Sequence, residues 1–318
     1  MLESGRVTQK TIVTEGHEGN EGNEESDKLA KEAASKPTPD ALDLTVRNTF
    51  NIQGAKLSEL TQSIAYQGIR ERKPPLDRQS STNNINTSRD AIERYTGSQE
   101  TDASIWSSLR KAPIRPKVSQ FLYKSMHNVF RTGNYWSHIP AVAECSVCTT
   151  CNETETLGHI MTQCRCPPTQ LIWRYAREIW PHRNIPWPEI SLGLILGSGC
   201  LSAPHPNNRE RNNGNSHLRG ATRLLRILIT ESAYLIWVLR CERVIGEKNI
   251  HERGIRSRWL RAINLRLTND KLIATKKKRK KGFTNLVVNT WEHVLSKEGD
   301  LPNNWINMRE VLVGSRSR

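Results

Sequence analysis

Apolar residues recur at helical spacing along most of this chain, and the strongest such run lies late in it. From Arg219 to about Val244, Leu224, Leu225, Leu228, Ala233, Leu235, Ile236, Leu239 and Cys241 form a wide stripe, with Arg223, Arg226, Glu231, Arg240 and Arg243 outside it. A stripe that broad predicts a helix buried against neighbouring helices. It does not predict a membrane span: the most apolar stretch, from Leu224 to Leu239, contains Arg226 and Glu231 and falls short of the roughly 20 apolar residues a bilayer requires. A second helix, about Ile255 to Leu267, sets Trp259, Ile263 and Leu267 at i, i+4 and i+8 and turns Arg256, Arg258, Arg261 and Arg266 outward. Those arginines suit a phosphate backbone or a solvated face equally well.

Earlier in the chain the pattern is weaker. Leu57, Leu60 and Ile64 give one apolar stripe over 54–66, and residues 71–87, with Pro74-Pro75 and a Ser/Thr/Asn cluster, read as a linker. A short helix is expected from about Thr87 to Tyr95, with Asp90 and Arg94 four apart on an exposed face. Over 118–130, Phe121, Leu122, Met126, Val129 and Phe130 share one helical side while Lys117, Lys124 and Arg131 stay polar; that side reads as core, although Tyr123 or His127 could face a nucleic-acid base. Trp187 to Ile190 and Leu192 to Gly197 suggest a short buried piece, and 204–215 a loop.

Charge sharpens this outline. The 318 residues carry 47 Lys and Arg against 32 Asp and Glu, a formal +15. Ten acidic and five basic residues fall in 1–45, so that stretch is net −5 and the remainder net +20. A surface so positive attracts polyanions, nucleic-acid phosphates above all, with an affinity that falls as salt rises. The run Lys276, Lys277, Lys278, Arg279, Lys280, Lys281 fits a nucleic-acid contact, a nuclear import signal or a solvated loop. Met1-Leu2-Glu3-Ser4 lacks the basic and apolar regions of a secretory signal, so an intracellular protein is expected, nuclear where the lysine run acts as an import signal. In that compartment seven cysteines are expected to be reduced, metal-bound or buried rather than paired.

The densest chemistry lies between Cys145 and Cys166. Cys148, Cys151, His159 and Cys164 give C-x2-C-x7-H-x4-C, three thiolates and one imidazole of the kind that closes a tetrahedral structural zinc site. Cys145 with Cys148 would also make a C-x2-C, but it stretches the gap to the histidine to ten residues, so Cys145 ranks as an alternative ligand. A zinc ion with four protein ligands has no position left for water and can hold a fold without hydrolysing anything.

Three stretches carry a family resemblance. Gly16-His17-Glu18-Gly19-Asn20-Glu21-Gly22-Asn23-Glu24-Glu25-Ser26-Asp27-Lys28-Leu29-Ala30 resembles the C-terminal end of type 1 ribonuclease H, departing from its usual form at Ser26, where the family has Ala. By that resemblance His17 corresponds to the mobile histidine that assists proton transfer or product release, and Asp27 to the last of the carboxylates that hold two divalent metals. The cysteine cluster, with the helix around Phe121-Leu122-Tyr123-Lys124 before it and Ile172 to Trp180 after it, resembles the reverse-transcriptase zinc-binding region of fungal non-LTR retroelements. The segment from Trp291 to Gly314 resembles the close of the same proteins. Only 16 residues precede His17, so the family's other three carboxylates are not in this chain. One Asp and one His do not bind two Mg²⁺ ions, and Mg²⁺ is expected only where a complete site is assembled.

The expected fold is mostly α: a truncated α/β ribonuclease H remnant (1–36), a linker with short helices (37–100), a helical zinc-binding-like module (101–182), a loop-rich connection (183–216) and a basic helical domain (217–318). The expected function is nucleic-acid binding, to RNA, DNA or an RNA–DNA hybrid, by part of a retroelement-derived ribonuclease H and reverse transcriptase protein. Hybrid cleavage is implied for the family and not for this chain alone. The competing expectation is a non-catalytic module that binds protein partners through helices 219–267.

Overall fold

The computed structural model describes residues 21–38, 60–72, 78–182, 184–204, 216–246, 248, 250–276 and 281–314, with backbone alone at 21–23, 134 and 281. The chain divides into two units at Pro74/Pro75. In the first, α1 (Glu21–Ala34) and α2 (Gln62–Arg72) are described. The side chains of α1 from Glu24 onward are all exposed, Leu29, Ala30, Ala33 and Ala34 among them. Leu60 and Ile64, the described members of the stripe over 54–66, are exposed too. Residues 1–20 of the expected α/β remnant lie outside the described residues, and among the described residues there is no strand, only isolated bridges.

The second unit is helical throughout. It contains α3 (Gln79–Thr96), α4 (Asp102–Ser108), α5 (Pro116–Met126), the single turn α6 (Asn134–Ser137), α7 (Pro167–Ile179), the short α8 (Leu192–Leu196), α9 (Ser216–Gly246), α10 (Glu252–Thr275) and α11 (Lys281–Trp291). The expected boundaries near 100, 182 and 216 fall inside this unit. One apolar core runs through it from Ile85 of α3 to Val313 near the C-terminus.

α9 is the axis of that core and packs against α11, α7, α10 and α5. Its apolar stripe is buried as the spacing predicts, with Leu224, Leu225, Leu228, Ile236 and Leu239 all inaccessible. Burial extends further round the helix than the stripe, however, and takes in Arg223, Glu231 and Arg240. α10 lays Trp259, Ile263 and Leu267 into the same core, and the indole N–H of Trp259 donates to Ser232 Oγ of α9 at 2.9 Å. α9 and α11 approach so closely that a Cβ on Gly220 would stand 2.2 Å from the backbone oxygen of Asn289.

The polar stretch 79–87 is the clearest departure from expectation. Residues 71–87 read as linker, yet α3 begins at Gln79 and carries the Ser/Thr/Asn cluster in its first half. The reason is tertiary. Asn84 donates to the carbonyls of Ser125 and Met126 at 3.3 and 3.0 Å, closing the end of α5, and Ser81 Oγ lies 2.8 Å from His127 Nδ1. Ser88, fully buried, returns its hydroxyl to the Asn84 carbonyl at 2.7 Å, while Ile85, Ala91 and Ile92 join the core. Small polar residues here let α8 press against α3, where a Cβ on Gly193 would meet Thr87 O at 2.3 Å. Local propensity disfavours this helix and packing overrides it. α5 ends earlier than expected: Asn128 turns with φ +49°, so Phe121, Leu122 and Met126 are buried but Val129 is exposed.

Candidate metal centre

The Cys148–Cys166 segment folds into a tight loop and one turn of π-helix. Cys148 donates its N–H to Glu153 O, and Asn152 returns its own to Cys148 O, both at 2.8 Å; Val147 and Thr154 bridge across the base of the loop. Asn152, with φ +58°, lets the chain reverse directly after Cys151, and asparagine tolerates that left-handed conformation better than most residues. The loop therefore holds Cys148 and Cys151 with their sulfurs toward the same point.

The other two ligands come from the π turn His159–Gln163, closed by the Cys164 N–H donating to His159 O at 2.8 Å. In an α-helix, residues five apart stand about 140° apart around the axis. A π turn closes on the fifth residue and brings it back over the first. The x4 spacing of histidine and cysteine is therefore read out by this local change of helix type.

Cys148, Cys151, His159 and Cys164 are all buried, and their ligand atoms lie within 4.8 Å of one another. Cys164 Sγ is 3.7 Å from Cys148 Sγ and 3.8 Å from Cys151 Sγ. A tetrahedral ion with metal–sulfur bonds of about 2.3 Å needs sulfur–sulfur edges of about 3.8 Å. Both nitrogens of the buried His159 ring lack a hydrogen-bond partner, although Glu153 Oε2 stands 3.2 Å from Nδ1. An orphaned imidazole beside three sulfurs, at an expected cost of about 1–3 kcal/mol if left so, is the arrangement a metal ion completes. The cluster can hold a metal ion, and its donor set is closed.

Two backbone amides donate to ligand sulfurs and favour their charged form. The Arg165 N–H donates to Cys151 Sγ at 3.2 Å and the Cys166 N–H to Cys164 Sγ at 3.4 Å. Cys166 sits beside the cluster with its own sulfur 2.9 Å from Thr150 Oγ1. Hydrogen bonding between the Cys164 and Cys166 side chains holds the Cys166 thiol below its ordinary range and pushes Cys164 up. Cys145 is exposed and stands outside the set, and all seven cysteines are free of disulfides.

The loop is tied to the core by charge. Glu155, 3% exposed, receives Arg240 Nε at 3.1 Å and Arg243 at 3.3 Å, both from α9, and Arg243 also reaches Thr149 Oγ1 at 3.2 Å. Two further carboxylates within the unit hold arginines in the same way. Asp270 makes paired contacts of 2.6 Å with Arg223 and accepts from the Trp291 indole at 2.8 Å. Glu231 accepts from Arg115 at 2.8 and 2.9 Å and has Arg266 Nε 3.7 Å away. Arg266 is thus buried, where the spacing had placed it outward; the Glu231 carboxylate and the Pro113 carbonyl draw it in.

The remaining expected residues divide. Arg256 and Arg261 are exposed on α10, Arg258 pairs with Glu242, and Lys276 is exposed at the end of α10. Lys277, Lys278, Arg279 and Lys280 lie outside the described residues, as does His17; Lys281 opens α11. Asp27 is exposed on α1. No described helix is long and apolar enough to cross a membrane. No family model, curated protein or solved structure matches the chain.

Proposed function

We propose that this chain is a nucleic-acid-binding part of a retroelement-derived ribonuclease H and reverse transcriptase protein, with a structural zinc ion holding its helical body. The observation that carries the reading is the closed Cys148, Cys151, His159, Cys164 cluster, whose spacing resembles the reverse-transcriptase zinc-binding region, set in a strongly basic unit. Three sulfurs and one imidazole at tetrahedral separations favour zinc over the oxygen-seeking Mg²⁺ and Ca²⁺. When bound, the ion supplies a cross-link between the loop and the π turn. Asp27, one carboxylate on an exposed helix face, holds no metal pair, so cleavage of RNA–DNA hybrids is not assigned to these residues alone.

The buried ion pairs do not use up the positive surplus. Residues 75–318 carry 37 Lys and Arg against 20 Asp and Glu, and the three buried carboxylates take only five arginines between them. The surplus is left for phosphates. Purified protein is expected to contain one zinc per chain by elemental analysis, and none in Cys151→Ser or His159→Ala. It is expected to shift single-stranded RNA or DNA in low salt and to release it as salt rises. Zinc-free wild-type protein, or no shift with RNA, DNA or hybrid, overturns the reading. In the latter case Ile245, Leu265 and Leu272, exposed at 78%, 52% and 58% on α9 and α10, support binding of a protein partner instead.

A further inference from the structure

Between Asp102 and Glu144 the chain has no acidic residue and six basic ones: Arg110, Lys111, Arg115, Lys117, Lys124 and Arg131. Arg115 turns inward to Glu231. The other five are exposed, and none pairs with a carboxylate among the described residues. This is a segment of unopposed positive charge, distinct from α10 and from the lysine run.

The helices give that segment one face. Along α5, Lys117, Gln120, Tyr123, Lys124 and His127 follow one another at three, six, seven and ten residues from the first, and all but the half-buried His127 are exposed. Along α4 and the turn that follows it, Ala103, half-buried Trp106, Ser107 and Arg110 share a similar spacing. Between these faces lies an open cleft of about 490 Å³ lined by Trp106, Arg110, Tyr123 and His127. Its walls are rings. His127 stacks on Trp106 at 4.9 Å and 27°, and Tyr123 stands edge-on to His127 at 4.6 Å; Tyr123 and Trp106 diverge by 57° with centroids 5.9 Å apart. Burial and the Arg78 charge hold His127 below its ordinary range, so at neutral pH it is an uncharged stacking surface. Past Asn128 a second opening of about 430 Å³ contains Phe130, Arg131 and Tyr135, with the Arg131 guanidinium 5.2 Å from the Tyr135 ring centre.

We propose that the outward face of α4 and α5 binds single-stranded nucleic acid, one base stacking on the exposed Tyr123 ring at the mouth of the cleft while Arg110, Lys117 and Lys124 take the phosphates. The proposal rests on the nucleic-acid reading above and gives it a surface. Flat rings flanked by cations, with the one acidic residue of α4, Asp102, already paired to Arg89, match a chain that alternates aromatic bases with phosphates. A duplex base has both faces covered by its neighbours, so the occupant is single-stranded. A peptide would gain nothing from the absence of acids unless it were itself acidic.

The test is fluorescence anisotropy of end-labelled oligouridine and oligothymidine with the full-length, metal-loaded chain. Tyr123→Ala is expected to weaken binding by about fivefold to hundredfold. Tyr123→Phe, which keeps the ring, is expected to bind as wild type. Lys117→Gln with Lys124→Gln is expected to flatten the dependence of log K on log salt by roughly 1.4, about 0.7 per lost phosphate contact. Tyr123 is largely exposed, so unchanged melting temperatures will separate lost stacking from lost fold. RNA held more tightly than DNA, or the reverse, identifies the sugar without altering the proposal. If wild type binds neither oligonucleotide, the underlying reading fails. If wild type binds both but the alanine and the double glutamine variants retain its affinity and salt slope, the nucleic-acid reading survives and this surface is overturned.

Discussion

The buried arginines show what a single side chain can hide. Arg223, Arg240 and Arg266 interrupt the apolar spacing of their helices, and by periodicity each belongs outside. Each is inside because a carboxylate or carbonyl from a distant part of the chain meets it: Asp270 is 47 residues from Arg223, and Glu155 is 85 residues from Arg240. Such pairs are invisible to any window-based reading, whereas the leucines around them were legible from spacing alone. Removing one partner strands the other charge in the core. Asp270→Ala leaves Arg223 and the Trp291 indole without their acceptor and is expected to cost about 3–5 kcal/mol in a urea unfolding titration. Asp90→Ala, on the exposed side of α3, is expected to change stability by less than about 0.5 kcal/mol.

Elements are where the cysteine spacing acquires its meaning. The pattern C-x2-C-x7-H-x4-C was legible as a ligand set, since the residue types and intervals alone narrow the chemistry. The reversal at Asn152 and the switch to a π turn at His159 were not, because both are backbone responses to the surrounding packing. α3 failed in the opposite direction: its Ser/Thr/Asn content signals a linker until Asn84 and Ser81 are seen to serve the end of α5. The turn makes a sharp prediction. Asn152→Val places a β-branched residue at φ +58°, at a cost of roughly 1–2 kcal/mol, and should surrender zinc to a chromophoric chelator more readily than wild type. Asn152→Gly, at home in that conformation, should hold zinc as well as wild type. Equal retention in both variants would mean that the reversal does not help to place the sulfurs.

At the scale of the second unit, the metal loop and the central helix meet at one carboxylate. Glu155 closes the loop through its N–H to Ser146 O at 2.8 Å, while its side chain holds Arg240 and Arg243 of α9. If that contact carries the cross-link into the core, metal and Glu155 stabilise the same structure and their contributions are not independent. A metal that binds the folded chain better than the unfolded one raises stability, so chelation should lower the melting temperature of wild type. Glu155→Ala should lower it as well, by leaving Arg240 buried without a counter-charge, while still binding one zinc, since none of the four ligands is touched. The decisive quantity is the fourth corner of the cycle. Chelation of Glu155→Ala is expected to cause a smaller further drop than chelation of wild type, because the loop would already be uncoupled from α9. Drops that add within about 0.5 kcal/mol would show instead that the loop stabilises only itself and that α9 stands without it.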